Sequence, residues 1–409
     1  MSNLLALNRY MHDPVITIGG KAIQDYKDEI ADYDAGSNAK FEHDSIRVSP
    51  QSNLSNVFAG ALQQIDYQVN SGQVISHYDK IQLRLTVQNT GANPATMLAS
   101  HFLIDHIEVM CNGSTIEDIY PHHLMFNELY LAESDEQVLN NRFYRAFGGG
   151  IGGSVYTGPA ALAAGATRDF FIEIPCVFSK TKCFMDAIRC TCQFRVHFVG
   201  NPLASTSAAT TISLTEADLL IDGRKYDDVI KQRLIARYKQ MDHVFGYYEP
   251  QRAIIGGQAI SATTRTTVQN TVFGGFHSAL LSVMLVPAGA SREQLYNFST
   301  ISRIDLQRNG QTINSFANQP ADYVKAQMAS KFYTTAVFTD FIYNILQSNL
   351  PVESLNNGLQ RGLNTLTNND IFLIQAGAAA SYDVYVLCYR FCNFIVKRDG
   401  TVNLVALAN

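Results

Sequence analysis

Charged side chains are scarce in this chain. Asp, Glu, Lys and Arg make up 16% of its 409 residues, against roughly a quarter in ordinary soluble domains. Aromatic residues reach 11% and apolar residues 46%. That excludes a disordered chain, which needs high charge and few aromatics. Positive charge is not in excess: 31 Lys and Arg against 36 Asp and Glu leave a net charge of −5. A basic wrapper of nucleic acid is therefore excluded, though not a local patch. Long apolar runs are missing too. The longest, residues 279–290, is interrupted by Ser282, Pro287 and Gly289, short of the ~18 residues of a membrane-spanning helix. The start, MSNLLALNRYMHD, has neither the basic opening nor the apolar stretch of a secretory signal. Low charge leaves two readings: a Ser-, Thr- and Asn-rich β protein, or a surface largely covered by further copies of the chain.

The motifs of common chemistry are missing or misplaced. Seven cysteines, Cys111, Cys176, Cys183, Cys190, Cys192, Cys388 and Cys392, are an odd number without a signal peptide, which argues against a disulfide framework and for synthesis in a reducing compartment. Cys190 and Cys192 fall in an alternating stretch that points both to one face. The spacing of Cys176, Cys183, Cys190 and Cys192 matches no zinc pattern, so buried thiols in strands are expected. Gly148, Gly150 and Gly153 spell GxGxxG, but no strand precedes and no helix follows, so a glycine-rich loop is expected.

No HxH pair exists among the ten histidines. His101 and His106 fall on opposite strand faces, and His122 and His123 diverge on a helix. His123 and Glu128 meet across a helical turn, but one pair makes no catalytic site. The acids Asp25, Asp28, Glu29, Asp32 and Asp34 read as a solvated charge run, not the cleft pair of a glycosidase. There is no GxSxG. Arg224, Lys225, Lys231, Arg233, Arg237 and Lys239 lie near Tyr226 and Tyr238, but Asp227 and Asp228 interrupt them and repel phosphate. The segment reads as a solvated linker. No catalytic, cofactor or metal residue is selected, and sequence-specific nucleic-acid binding is not expected.

An internal repeat organises the rest. Residues 102–119 align without a gap on residues 299–316. Ile104 falls on Ile301, Ile107 on Ile304, Asn112 on Asn309, Gly113 on Gly310 and Ile116 on Ile313. The same offset lays residues 80–89 on 277–286. Asn-Gly between alternating apolar runs is a strong hairpin signal, because a type I′ turn needs φ > 0 at both central residues. Asn112, Gly113, Asn309 and Gly310 are thus expected as structural hairpin turns. Pro121 and Pro320 each stand where a helix is expected to open, the first carrying the stripe Leu124, Met125, Phe126, Leu129 and Tyr130. Strands resume at 166–175, 187–199 and 216–222, and at 369–377, 381–396 and 401–407. The expected division is an N-terminal arm (1–55), a first all-β domain (56–223), a linker (224–246) and a second all-β domain (247–409). About eight strands per domain suit two packed sheets, a sandwich or jelly roll.

Three stretches, 104–130, 158–181 and 386–403, together with this tandem plan, resemble the double jelly-roll major capsid proteins, in particular those of tectivirus-like, tailless, internal-membrane bacteriophages. The resemblance covers most of residues 60–405. It implies an all-β fold of two tandem eight-stranded jelly rolls with short helices in loops. It also implies a non-enzymatic structural role without cofactors: a homotrimer of near-hexagonal outline, tiling an icosahedral virion shell and made in the host cytoplasm. The implied partners are neighbouring trimers, penton and minor capsid proteins, and an internal lipid membrane. Leu4, Leu5, Leu7 and Arg9 are the expected inner-face or membrane contact, and 137–165 and 316–368 the expected tower loops. Low charge then reflects wide contacts that deplete charge at interface cores. Two other readings stay open: a secreted tandem jelly roll that binds or hydrolyses carbohydrate, and a minor capsid protein of the same fold.

Overall fold

The structure is a computed structural model and describes residues 41–54, 57–58, 63–69, 75–98, 100–130, 151–152, 155–156, 161–203, 210–269, 276–289, 299, 301–315, 342–346, 364–366 and 370–406. The first half runs β1 (Phe41–Val48), β2 (Gln63–Val69), β3 (His77–Asn89), β4 (Ile104–Cys111), β5 (Ser114–Ile119) and helix α1 (Pro121–Tyr130). It continues through β6 (Ile151–Gly152), β7 (Val155–Tyr156), β8 (Thr167–Glu173), helix α2 (Val177–Thr181), β9 (Cys192–Phe198) and β10 (Ile212–Tyr226). Helix α3 (Asp228–Tyr238) follows. The second half is β11 (His243–Ile260), β12 (Thr266–Gln269), β13 (Phe276–Pro287), β14 (Ile301–Arg308), β15 (Gln311–Ser315), β16 (Ile342–Leu346), β17 (Asn364–Leu366), β18 (Asp370–Ala376), β19 (Ala380–Val396) and β20 (Val402–Ala406).

Period-two alternation decides what each strand buries. In β3, Ile81, Leu83, Leu85 and Val87 are fully buried, while Gln82, Arg84, Thr86 and Gln88 between them are half-buried. In β9, Cys192, Phe194, Val196 and Phe198 turn inward, and Gln193, Arg195 and His197 turn out. Each apolar face needs a second sheet to cover it. The first half forms one sheet of order β1-β10-β3-β8 and a second of order β2-β9-β4-β5. The second half repeats the pattern as β11-β19-β13-β16 and β12-β18-β14-β15, with β17 also on β13 and β20 on β19. Every pairing in these four sheets is antiparallel. The interleaving is the same in both halves once β20, an addition on the edge of β19, is set aside: the first strand lies beside the last (β1 with β10, β11 with β19), the second beside the one before it (β2 with β9, β12 with β18). That is the jelly-roll arrangement. The sequence repeat falls on equivalent strands, β4 on β14, β5 on β15 and β3 on β13.

Several segments differ from the sequence reading. Residues 41–48, grouped with the arm, pair along β10 from Phe41↔Tyr226 to Val48↔Leu219. The segment 224–246 holds the end of β10, α3 and the start of β11. Asp227, which had looked like an interruption of basic charge, caps α3: its Oδ1 accepts the Ile230 N–H at 2.9 Å. Lys231 on α3 reaches Asp186 of the first sandwich at 2.7 Å. Within 316–368, expected as loop, β16 and β17 supply the strands beside β13. They are short and far apart in sequence, so no alternation announced them. The strand expected at 369–377 is β18 (Asp370–Ala376), which by its place in the sheet corresponds to β9. In 187–199 the strand begins only at Cys192, after a short 3₁₀ turn at Met185–Ala187. The arm before residue 41 and the helix expected after Pro320 lie outside the described residues.

Two buried carboxylates anchor the second sandwich. Asp370 takes a two-pronged grip from Arg308, at 2.6 and 2.8 Å. Asp305 accepts from Arg265 at 3.1 Å and from Arg303 at 3.2 Å. A buried carboxylate is tolerated only when so matched.

Candidate functional site at the junction of the two sandwiches

The strands β13 and β19 read as nearly unbroken apolar runs, the mark of a sheet covered on both faces. The structure shows both covers. Val283, Leu285, Val384, Val386 and Cys388 pack into the second sandwich's own core. Their alternating neighbours Met284, Val286, Tyr385 and Leu387, with Phe394 and Val396 further along β19, belong to the core of the first sandwich. One continuous apolar core thus runs through the first sandwich and across to the facing sheet of the second. The first half meets that sheet with α1, α2 and β5. Phe178 of α2 sets its ring edge-on to Phe394, centroids 5.9 Å apart. His122 of α1 lies 4.8 Å from the Tyr385 ring and edge-on to Phe102 at 5.3 Å. The Arg252 guanidinium sits 3.8 Å over the Tyr120 ring.

Polar groups are threaded through this apolar contact. Glu117 of β5, 2% exposed, accepts the Val177 N–H at 2.9 Å and the Tyr247 hydroxyl from β11. Burial pushes its carboxyl up to about 8, against the two hydrogen bonds, so at neutral pH it carries its proton. Glu249 accepts from Arg390 and, at 3.2 Å, from the Cys392 thiol. The His123 ring Nε2 donates to the Gln251 carbonyl at 3.1 Å. Neither His122 nitrogen has a hydrogen-bond partner among the described residues. Burial, with Arg252 nearby, holds His122 well below its usual range and His123 down to about 3. Both rings are therefore neutral here. They diverge as the helical spacing requires, but both enter the junction and neither is on the surface. Of the helix stripe, Leu124 is fully buried. The side chains of Met125, Phe126, Glu128, Leu129 and Tyr130 lie outside the described residues.

The hairpin residues stand at matching places. Asn112 and Gly113, at φ 49° and 77°, join β4 to β5, and Asn309 and Gly310, at 50° and 75°, join β14 to β15. The first turn is also tied sideways: Asn112 N donates to the Thr191 carbonyl and its Oδ1 accepts the Thr191 N–H, both at 3.0 Å. Strand pairing brings together two groups that linear spacing could not. Cys111 stands opposite Cys192 in the β4–β9 register, and Cys111, Cys190 and Cys192 converge with sulfur atoms within 4.8 Å of one another. His106, Glu108 and His197 also converge. Cys111 and Cys190 are far apart in sequence, and only the antiparallel pairing of β4 with β9 joins them. Leu4, Leu5, Leu7 and Arg9, and Gly148, Gly150 and Gly153 as a set, lie outside the described residues.

No family model matches the sequence, and no curated protein matches it. Solved structures match in fold. VP54 of PBCV-1, fitted into a cryo-EM reconstruction of the virophage Sputnik, has a TM-score of 0.63 at 13% identity over 90% of this chain and 97% of that one. The Faustovirus major capsid protein gives 0.61 at 8% identity over 99% and 98%. The mavirus major capsid protein gives 0.51 at 12% identity over 91% of each chain. The chain thus has the double jelly-roll fold of these capsid proteins over most of its length, with little shared sequence.

Proposed function

We propose that this chain is the major capsid subunit of a tailless, internal-membrane bacteriophage, a structural protein rather than an enzyme. The observation that carries the reading is the shared core at the junction. A large apolar contact between domains leaves no hinge, so the two jelly rolls form one block with two similar barrels side by side. Three such blocks around a three-fold axis present six barrels, a near-hexagonal tile, and closed cyclic symmetry makes the tile finite. Tiles of that outline pack into flat facets of an icosahedral shell. The fold matches to capsid proteins support the same role.

On this reading the natural division lies at α3, with a first and a second jelly roll on either side and the N-terminal arm running inward. Leu4, Leu5, Leu7 and Arg9 then meet the inner face or the lipid beneath it. Neighbouring trimers, penton and minor capsid proteins are the other partners, and the subunit is made in the host cytoplasm before entering the virion. Light scattering on the purified chain tests the proposal. A particle of three times 45.3 kDa that resists dilution is the expected result. A stable monomer would overturn it and favour a carbohydrate-binding tandem jelly roll, to be followed by glycan titration.

A further inference from the structure

We infer that His106, Glu108 and His197 form a binding site for a divalent first-row transition metal, zinc in the first instance, on the outward face of the β2-β9-β4-β5 sheet. His106 and Glu108 are two residues apart on β4 and so share a face. His197 stands opposite His106 on β9. The two imidazoles stack, with centroids 4.0 Å apart and planes within 11°, so both ring edges turn the same way, and the rings must tilt out of parallel to aim both in-plane lone pairs at one ion. His106 Nε2 lies 3.9 Å from Glu108 Oε1, and His197 Nε2 lies 3.7 Å from Glu108 Oε2. These separations are too long for hydrogen bonds. His197 Nε2 is buried with no hydrogen-bond partner. One nitrogen from each ring and one oxygen of Glu108 thus lie within 4.8 Å of one another, with no hydrogen bond closing the gap between either ring and the carboxylate.

The gap has the size of a metal site. Bonds of about 2.0–2.1 Å in a tetrahedron place ligand atoms about 3.3 Å apart, so the two histidine–glutamate separations must close by about half an ångström each, and the three ligand atoms already lie within 4.8 Å of one another. The protons are arranged for it. Asp105 Oδ2 lies 2.8 Å from His106 Nδ1, which holds the ring proton on that nitrogen and leaves the Nε2 lone pair facing Glu108. A carboxylate behind a ligating imidazole is the usual support of such a ligand. The surrounding charge is mixed. Arg195 donates to Glu108 Oε2, the oxygen nearest His197, at 3.4 Å but is held more closely by Asp66, at 2.7 Å, and Asp118 stands opposite Glu108 on β5. The three side chains are 24%, 22% and 19% exposed, so an ion can enter from solvent and keep water as its fourth ligand.

The test is titration of the full-length, reduced chain with Zn²⁺ by calorimetry at pH 7.5, and with Co²⁺ by absorption. One ion per chain is expected, with a nitrogen- and oxygen-ligated Co²⁺ spectrum in the visible. The His106→Gln/His197→Gln double variant should lose stoichiometric binding. Asp105→Asn, which keeps all three ligands, should bind 10–100-fold more weakly and serves if the double variant fails to fold. Three results would overturn the assignment: no stoichiometric binding, undiminished binding in folded variants, or an intense near-ultraviolet thiolate-to-Co²⁺ band. The last would send the metal to Cys111, Cys190 and Cys192 instead.

Discussion

Replacing Glu117 by Gln should make the chain more stable, and increasingly so as pH rises. In the folded protein its carboxyl titrates near 8, against an ordinary value of 4.5. Below pH 4.5 the group is protonated whether the chain is folded or not, and its pH-dependent contribution to stability is fully present. Above that the unfolded chain releases its proton while the folded chain keeps it, so stability is lost until the folded group ionises near pH 8. Each pH unit in that window is worth about 1.4 kcal/mol, so the loss by pH 7 is about 3 kcal/mol. Glutamine keeps the shape, accepts the Val177 N–H and has no proton to lose. The assay is denaturant unfolding of both proteins from pH 5 to 8.5. The difference between the two curves should climb by about 1.4 kcal/mol per unit from pH 5 and flatten above pH 8. Other titrating groups cancel in that difference. A difference that stays flat across the range would refute the account of a buried, protonated carboxyl at the junction.

Histidine supplies the opposite slope. His122 and His123 are held neutral by burial, so folded stability must fall as pH drops below 6.5, where the unfolded rings take up protons. His122→Phe, set between Phe102 and Tyr385, should retain more of its thermal midpoint at pH 5 than the unmodified chain does. Arg308→Leu removes the two-pronged guanidinium grip on the buried Asp370 and should cost up to about 3–5 kcal/mol in unfolding free energy, while the Arg308→Leu/Asp370→Leu pair should recover much of that loss. Gly113→Ala meets no neighbour within 4 Å, so its cost is conformational, about 1–2 kcal/mol for a left-handed Ala; Gly310→Ala should behave alike in the same melting assay.

What could be read from the sequence is what local chemistry dictates. Asn-Gly requires its turn, and alternation in β3 and β9 names the inward side chains without any partner being known. The repeat aligned strands that prove topologically equivalent. Features that depend on non-local pairing were not legible. β16 and β17 are brief, and what makes them strands is the waiting edge of β13. Cys111 had no visible relation to Cys190, nor His106 to His197, until β4 was laid against β9. Glu117 and Tyr247 are an unremarkable acid and tyrosine in sequence, and their meeting depends on how one sandwich seats on the other. Asp227 misled as a repulsive charge because its capping role needs the helix to exist.

The shared core also constrains how the chain can be synthesised. Phe178 is covered by Phe394, which the ribosome makes 216 residues later. At translation rates of 5–20 residues per second, the first sandwich waits on the order of ten seconds or more with its junction face bare. During that wait the nascent half is adhesive toward any complementary sheet, including the later half of a neighbouring nascent chain on the same message. An exchange of halves between chains would satisfy every contact at the junction while tethering two polypeptides together. A chaperone that shields the α1–α2 face until β19 is made would keep each polypeptide's halves in one molecule.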